Sequence, residues 1–368
     1  MGKQKKQKHT GAVVAVVFAV LLVLSVGIFF VIQNQKKSKQ VAVSISDTGT
    51  TQSVTEKETA DPHTGQARSL LTGMWVPKEQ TEQRPVAVMY SNIADAMPQS
   101  SIGSADIVFE SLVEGGITRL CCVFDHKTTL TKIGPVRSCR TYYLLFAKEF
   151  EAIYVHFGAS EYAAAYLARP EFHALDGMVY CDFYRTTDRV APHNAYTSWT
   201  GIMESANYRE YGTEYPAGYT APFKFNEDDT KDIIPASGET CKTFYPGYLY
   251  NKPWFTYDES TKTYLRYQFD GPQIDAETQK QLSYKNILVK YVTPAYYENG
   301  TPNYKTYGTN SGLYITDGVA IPVTWTKSSE TEGATKYYYA DGSEVIFNQG
   351  KTYICQIETT QEVQILAE

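Results

Sequence analysis

Beyond residue 84, short apolar runs bounded by turn residues alternate with stretches of helical periodicity. Runs of four to eight residues rich in Val, Ile, Phe and Cys are typical of strands, and longer periodic stretches are typical of helices. Their alternation predicts a mixed α/β layer structure for this half of the chain. The predicted strands are 85–90, 105–113, 118–124 and 152–157, and the predicted helices are 139–151, 161–169 and 197–209.

The pattern changes after Tyr211, because 20 of the 30 tyrosines lie from that point on and turn pairs recur. Asp341-Gly342 and Asn348-Gln349-Gly350 both separate apolar runs and predict hairpin connections. The predicted fold class is therefore α+β, with a mixed α/β first domain followed by a β-rich second domain. Exposed tyrosines can stack on sugars, although aromatic residues are also frequent in strands. The predicted strands of this half are 263–269, 286–292, 313–325, 336–339, 344–347 and 352–358.

Residues 11–32 carry no charge over 22 positions, enough at about 1.5 Å per residue to cross a hydrocarbon core of about 30 Å. The run is too long for a cleaved secretory signal, so it predicts an uncleaved, single-pass transmembrane anchor. Four lysines precede it and three follow it, which favours a cytoplasmic N-terminus. The predicted segments are a cytoplasmic basic tail (1–10), the anchor (11–32), a disordered stalk (33–69), the first domain (70–212) and the second domain (213–368).

The net charge of the chain limits the classes of ligand that the folded part can bind. The chain has a net charge of −6, and residues 1–40 contain seven lysines and no acid, so the remainder carries −13. A domain this acidic repels polyanions in general, so nucleic acid is not an expected partner. Binding of an anionic polymer would require a local basic pocket.

Six cysteines occur, and none forms a C-x-x-C pair. Cys121 and Cys122 are adjacent in a predicted strand and therefore face opposite sides. Most of the six are expected to be small buried hydrophobic residues. The alternative is one disulfide between Cys241 and Cys355 in an oxidising compartment.

Two arginines mark the start of the helix after residue 138. Ser138 is a plausible N-cap, so Arg137 and Arg140 would lie at the helix N-terminus, where cations oppose the helix dipole by about 0.3–1 kcal/mol each. An anion at this position would relieve that cost, and arginines with free N–H groups are suited to carboxylate or phosphate. The alternative is an internal ion pair with Glu110 or Glu114.

Acidic and histidine residues supply the candidates for acid–base chemistry. Glu110 and Glu114 would lie on one face of a strand about 13 Å apart, too far for a glycosidase pair unless the strand bends. Glu114 is expected to pair with Arg119 across the Gly-Gly turn. His156 lies late in a strand and His193 in a loop, positions where a general acid or base can work.

The sequence lacks the motifs of several common catalytic mechanisms and cofactor sites. The segment around Ser160 lacks the last glycine of a nucleophile elbow, so Ser160 is expected to be a helix N-cap. The sequence contains no H-E-x-x-H, no zinc-spaced cysteine pair, no P-loop and no dinucleotide fingerprint. No cofactor or metal is therefore predicted.

An ordered series of blocks gives the chain a specific resemblance. It resembles the YerB-like family of bacterial envelope lipoproteins, a family of unknown function, over most of residues 70–368. That resemblance supports an extracytoplasmic location and includes Asn194 among the candidate ligand-binding residues. Relatives that resemble lipoproteins have a cysteine after the signal segment, whereas no cysteine here precedes Cys121, so a transmembrane anchor is predicted instead. The blocks are Leu71–Gly73, Arg84–Met89 with Asn92, Pro98–Ser100, Ala105–Glu110, Val113–Arg119, Ile133–Ser138 with Arg140, Val155–Gly158, Pro192–Thr197, Tyr264–Arg266, Asn286–Val289 and Gly318–Lys327.

The leading functional prediction is a cell-membrane protein whose folded part, outside the cytoplasm, binds cell-wall material such as peptidoglycan, or another anionic envelope ligand. The alternatives are a cell-wall hydrolase or transferase, and a scaffold for other envelope proteins that uses the tyrosine-rich second domain. The hydrolase would use His156 or His193 with Glu110 or Glu114. The ligand-binding candidates are Arg119, Arg137, Arg140 and Asn194, with the two histidines beside them.

Overall fold

Two β-sheets dominate the fold, and each is built from strands that are far apart in sequence. The structure, a computed structural model, describes residues 62–180 and 182–368. The helices of this part are α1 (Lys78–Thr81), α2 (Thr141–Glu149), α3 (Glu161–Leu167) and α4 (Trp199–Tyr208). The strands are β1 (Gln66–Arg68), β2 (Trp75–Pro77), β3 (Val86–Asn92), β4 (Ile107–Leu112), β5 (Thr118–Phe124), β6 (Ile153–His156), β7 (Ala174–Asp176), β8 (Tyr184–Arg185), β9 (Ala195–Tyr196), β10 (Lys224–Phe225), β11 (Glu239–Thr240), β12 (Thr243–Tyr245), β13 (Trp254–Asp258), β14 (Thr263–Gln268), β15 (Gly271–Pro272), β16 (Ser283–Tyr284), β17 (Asn286–Val292), β18 (Gly308–Thr316), β19 (Val319–Lys327), β20 (Lys336–Tyr338), β21 (Ile346–Phe347), β22 (Thr352–Glu358) and β23 (Gln364–Leu366).

The larger sheet has eleven strands in the order β11-β19-β18-β17-β22-β4-β5-β3-β6-β7, with β20 paired to β19. It is mixed, because β22 runs parallel to both β17 and β4, whereas β5 is antiparallel to β4 and β3. The last long strand of the chain therefore joins the two halves at the middle of the sheet. The smaller sheet has six strands in the order β15-β14-β13-β12-β23, with β16 paired to β14.

Side-chain alternation divides the large sheet into two buried faces. Met89 in β3 and Phe109 in β4 belong to the apolar cluster that also contains the buried residues of α2. Their neighbours Val88 and Val108 face the other way and join a cluster with Phe255 and other residues of the small sheet. The large sheet is therefore covered by α2 on one face and by the small sheet on the other.

The mixed, strand-rich α+β fold agrees with the predicted class, and most element predictions are confirmed to within two residues. The single strand predicted at 313–325 is wrong, since Asp317 and Gly318 adopt positive φ and divide it into β18 and β19. The connection at 348–350 is not a hairpin, because β21 pairs with β10 while β22 enters the large sheet. Buried partners of the sheet, rather than local turn residues, decide this pairing.

The predicted boundary at residue 212 stays a prediction, although the described residues form one compact unit and the large sheet crosses that boundary. The predicted tail and anchor, 1–10 and 11–32, lie outside the described residues. Within the described chain, no helix combines the length and apolar character needed to span a membrane. Most of the predicted stalk, 33–69, also lies outside the described residues, but its last part is ordered, because Gln66–Arg68 pair with Trp75–Pro77 as β1 and β2.

Five cysteines fall within the described residues, and all are buried free thiols: Cys121, Cys122, Cys139, Cys241 and Cys355. The expectation that most cysteines are small buried residues holds for these five. The alternative of a bridge between Cys241 and Cys355 is not formed. Burial raises the pKa of the Cys241 thiol to about 12, so it is protonated near neutrality.

Candidate functional site

Three adjacent strands place polar side chains in one row across the large sheet. The register pairs Ser91 of β3 with Arg119 of β5, and Arg119 with Ser111 of β4. Met89 and Cys121, two residues from this row, pack in the cluster around α2. Because strand side chains alternate, Ser91, Ser111 and Arg119 lie on the α2 side of the sheet.

The start of α2 brings a second arginine to the same region. Arg140, rather than the predicted Ser138, occupies the N-cap position, and its side chain forms no capping hydrogen bond. Its Nε and Nη2 each donate to a carboxylate oxygen of Glu114 at 2.6 Å. The expected pairing of Glu114 with Arg119 is therefore wrong, and the alternative of an internal ion pair with Glu114 is confirmed for Arg140. Burial opposes ionisation of Glu114, but the contacts with Arg140 outweigh it and lower the pKa of the carboxyl group.

The chain between β4 and β5 explains this pairing. Gly115 and Gly116 have φ values of 75° and 71°, a region that favours glycine, and they turn the chain sharply after Glu114. Glu114 lies in a short 3-10 turn (Glu114–Gly116), since β4 ends at Leu112. The prediction that Glu110 and Glu114 share a strand face is therefore wrong.

Arg119 is buried and forms no ion pair within the described chain. Its Nη1 donates to the carbonyl oxygen of Ser138 at 2.7 Å, and the charges of Arg140, Arg137 and Glu114 all act on its guanidinium group. Burial, followed by repulsion from Arg140 and Arg137, lowers the pKa of Arg119 to about 10. Like charges and desolvation both disfavour the guanidinium here, and an anion would relieve both.

Arg137 and His193 complete the open side of the site. Arg137 is half-buried, and its Nη1 approaches the carbonyl oxygen of Pro192 at 3.4 Å. His193 Nδ1 lies 3.0 Å from Ser91 Oγ. Burial and then the charge of Arg137 lower the pKa of His193, so the ring is neutral near pH 7. We call Arg119, Arg137 and Arg140 with Glu114 and His193 the arginine cluster.

Two other predicted residues, His156 and Asn194, form hydrogen bonds to loop residues rather than to the arginine cluster. His156 is buried at the end of β6, and its Nδ1 lies 2.8 Å from the carbonyl oxygen of Gly158. Burial lowers the pKa of its imidazole. The Asn194 side chain accepts from Arg185 at 2.7 Å and donates to the carbonyl of Thr186 at 2.8 Å. These contacts fix the loop that carries His193.

Glu110 belongs to a different environment on the opposite face of the sheet. Its carboxylate is fully buried and forms an ion pair with Arg266 of β14 at 2.9 Å. It accepts four further hydrogen bonds, at 2.6–3.0 Å, from Asn92, Thr118, Asn251 and Tyr353. We call Glu110, Arg266 and these four residues the Glu110 network. The structure thus separates Glu110 from the other candidates.

Sequence reasoning missed Ser91 and Arg185. Ser91 could have been found from strand alternation, because it follows Ala87 and Met89 on one face and lies at the carboxyl end of β3. Arg185 lies over the ring of Phe157 at 4.7 Å, and its charge contributes to the lowered pKa of Arg137. No local signal in the sequence placed it near Arg137.

Charge balance is the main property of the arginine cluster. The cluster contains three guanidinium groups and one carboxylate. Glu114 pairs with Arg140, and neither Arg119 nor Arg137 forms an ion pair with a described residue. The arrangement can bind an anion by hydrogen bonding and charge. Residues 62–180 and 182–368 contain no group of three or more His, Cys, Asp or Glu side chains arranged to hold a metal.

Comparison with known proteins identifies relatives along most of the chain. Residues 71–212 match the N-terminal domain, and residues 244–354 the C-terminal domain, of the protein family of unknown function DUF3048. "Putative lipoprotein YerB" of Bacillus subtilis (strain 168) is 30% identical over 289 residues, which cover 77% of this chain and 84% of that protein. The crystal structure of the YerB protein from Bacillus subtilis matches with a TM-score of 0.71 and 27% identity, and covers 81% of this chain and 99% of that one. The resemblance inferred from the sequence blocks is confirmed, and the chain belongs to the DUF3048 family.

Proposed function

We propose that this protein binds an anionic ligand of the bacterial cell envelope at the arginine cluster. The supporting observation is that Arg119, although buried, forms no ion pair with a described residue, donates to a backbone carbonyl and lies beside two other arginines. Buried charges in proteins are normally paired. A ligand carboxylate or phosphate would provide the missing charge and could accept hydrogen bonds from Arg119 and Arg137 together.

Location in the envelope is supported by two observations. The relative in Bacillus subtilis is named "Putative lipoprotein YerB", and residues 11–32 of this chain are uncharged over the length of a membrane span. We infer that this segment anchors the protein in the cell membrane, with the folded part outside the cytoplasm. The ligand would then be an anionic component of the cell wall or of its precursors.

The cluster also explains how an acidic protein could attract an anion. Residues 41–368 carry a net charge of −13, which repels anions at long range. Screening limits that repulsion to about 8–10 Å at physiological salt, so the positive charges of the three arginines dominate at contact. Short anionic groups are therefore better suited to the site than extended polyanions.

The direct test is binding of sulfate and inorganic phosphate by the purified protein, measured by calorimetry and by the shift in thermal unfolding. An anion at about 100 times its Kd should raise the free energy of unfolding by about 2.7 kcal/mol. Arg137→Ala should abolish this gain with little loss of intrinsic stability, because Arg137 is half-buried and has no ion-pair partner among the described residues.

Arg209→Ala is the matched control. Arg209 is exposed and donates to the hydroxyls of Tyr180 and Tyr211, away from the cluster, so its removal should leave anion binding unchanged. Equal binding by wild type, Arg137→Ala and Arg209→Ala would exclude the arginine cluster as the site. Loss of binding in both variants would indicate a non-specific charge effect.

One contact favours a second candidate function, hydrolysis or group transfer. Ser91 Oγ lies within hydrogen-bonding distance of a neutral His193, which is the arrangement of a nucleophile and its general base. Arginines beside the pair could stabilise developing negative charge. If purified protein releases soluble products from peptidoglycan, and Ser91→Ala and His193→Ala both abolish that release, the enzyme alternative is supported over binding alone.

A further inference from the structure

The outer face of the small sheet carries a row of aromatic side chains. The register places Trp254 of β13 directly opposite Tyr267 of β14. Phe244 pairs with Phe255, so the next position along β12, Tyr245, lies on the other side of Trp254. Phe244 and Phe255 are fully buried, whereas Tyr245, Trp254 and Tyr267 are partly exposed. The row therefore faces outward.

The rings in this row are held in a fixed arrangement. The indole of Trp254 stacks on Tyr267 with ring centroids 4.8 Å apart and an interplanar angle of 8°. Tyr245 lies 6.5 Å from Trp254 at an angle of 24°. Tyr267 thus supports the indole, and Trp254 and Tyr245 line a cavity of about 480 Å³. Pockets for small ligands typically have volumes of about 300–1,000 Å³.

The opposite wall of the cavity is a loop that the core holds in place. The Tyr248 hydroxyl lies 3.1 Å from the carbonyl oxygen of Glu110 and 2.9 Å from that of Gln356. The Asn251 side chain donates to the Glu110 carboxylate at 2.9 Å. A Cβ atom at Gly247 would lie 2.2 Å from the carbonyl oxygen of Glu362, so glycine is required where the two walls meet. Such a wall loses little conformational freedom when a ligand binds.

The rim of the cavity combines hydrogen-bond donors and acceptors. Lys252, Asp270, Glu362 and Gln364 line it, and all four are exposed. None of the three charged groups forms an ion pair with another described residue. Leu249, also in the lining, is 85% exposed and adds apolar surface beside the rings. The site therefore has an apolar aromatic surface beside unengaged polar groups.

We infer that this cavity binds an uncharged glycan chain. The C–H groups of a pyranose ring pack on the electron-rich face of an indole or phenol, while its hydroxyls act as both donors and acceptors. Lys252 supplies donors, the two carboxylates supply acceptors, and Gln364 supplies both. One lysine against two acids gives the lining a net negative charge, which disfavours an anionic ligand. The site is separate from the arginine cluster and does not depend on it.

The test uses a tetramer of N-acetylglucosamine as the probe and cellotetraose as a second neutral glycan, with binding measured by calorimetry. The indole N–H resonance of Trp254, assigned by its loss in Trp254→Phe, should shift on addition of the sugar. Trp254→Ala should weaken binding about tenfold or more, because it removes the stacking surface. Binding of the first probe alone would define an N-acetylated sugar, and binding of both would define neutral glycans generally.

Controls separate a loss of the site from a loss of the fold. Glu362→Ala combined with Gln364→Ala changes only exposed groups in the lining and should weaken binding severalfold while thermal unfolding stays unchanged. Trp75→Ala removes another partly exposed tryptophan, bonded to Asp229, and should bind the sugar as wild type does. Arg137→Ala should leave glycan binding unchanged, and Trp254→Ala should leave sulfate binding unchanged. No binding by the wild type, or equal binding by the wild type and both cavity variants, overturns the inference.

Discussion

Two regions of this protein combine arginine with glutamate, and they do so in opposite ways. In the Glu110 network the carboxylate accepts five hydrogen bonds, pairs with Arg266, and is fully buried. In the arginine cluster, Glu114 forms its ion pair with Arg140 and remains 35% exposed at its side chain, while Arg119 and Arg137 form no ion pair with any described residue. The first region is balanced and closed, whereas the second has excess charge and is open on one side.

The difference shows what separates a structural ion pair from a candidate binding site. A buried pair is stable when further hydrogen bonds replace the water that each ion has lost. The Glu110 carboxylate meets this condition with five hydrogen bonds, although Arg266 Nε has no partner among the described residues. Unpaired charges of one sign repel one another in the free protein, so the fold gains no stability from them. Their presence is better explained by the binding of an anion. Charge balance and access, rather than the residue types, therefore distinguish the two regions.

The largest expected effect comes from breaking the closed region. Glu110→Gln leaves Arg266 buried without its counter-ion and should lower the free energy of unfolding by about 3–5 kcal/mol, measured by urea denaturation. If the variant does not fold, Tyr353→Phe removes one hydrogen bond to the same carboxylate and should cost about 1–2 kcal/mol. A loss below about 1 kcal/mol for Glu110→Gln would contradict the structural role.

A second substitution, in the arginine cluster, should reduce anion binding while leaving stability almost unchanged. Arg119→Met keeps the length of the side chain but removes a desolvated charge that Arg140 and Arg137 repel. Stability in the absence of anions should stay within about 1 kcal/mol of the wild type, while sulfate affinity should fall more than about tenfold. Destabilisation as large as that of Arg266→Met, the matched change in the Glu110 network, would show that Arg119 is structural.

A third substitution increases the contrast between the regions. Glu114→Gln removes the acid of the arginine cluster and frees Arg140, so sulfate affinity should rise severalfold. The cost in unfolding free energy should be about 1 kcal/mol, because the pair is partly exposed. Unchanged or weaker sulfate binding would mean that Arg140 does not face the ligand.

The smallest expected effect is a pH dependence. The pKa of His193 lies below its usual value because of burial and then Arg137, so the ring is neutral near pH 7. A bound anion favours the protonated ring, and by linkage the anion must bind more tightly as the pH falls through that pKa. Sulfate affinity should rise a few-fold between about pH 7.5 and about pH 5.5. The same titration with His193→Gln should be flat, and an equal slope in both proteins would remove His193 from the site.

Local sequence signals predicted the elements well and the partners poorly. Ser160 was expected to cap a helix, and its hydroxyl does accept from the backbone N–H of Ala163. The approach of Arg137 and Arg140 to the helix start also followed from local pattern. The partner of Glu110 did not, because Arg266 is 156 positions away and reaches it only when the small sheet packs on the large one. Glu114 pairs with Arg140 rather than Arg119, because Gly115 and Gly116, which have positive φ, set the direction of the turn.

The central position of β22 has a consequence for how this protein is made. Residues 107–112 leave the ribosome long before residues 352–358, yet β4 has β22 as its neighbour on one side. Until residues 352–358 have been made, the backbone groups on that edge of β4 have no strand to pair with. The strand β17, which lies on the other side of β22, lacks the same neighbour. Completion of the sheet must therefore wait until residues 352–358 have been synthesised. A nascent chain that stops before residue 352 would lack the strand that joins its two halves, and would expose two sheet edges to aggregation.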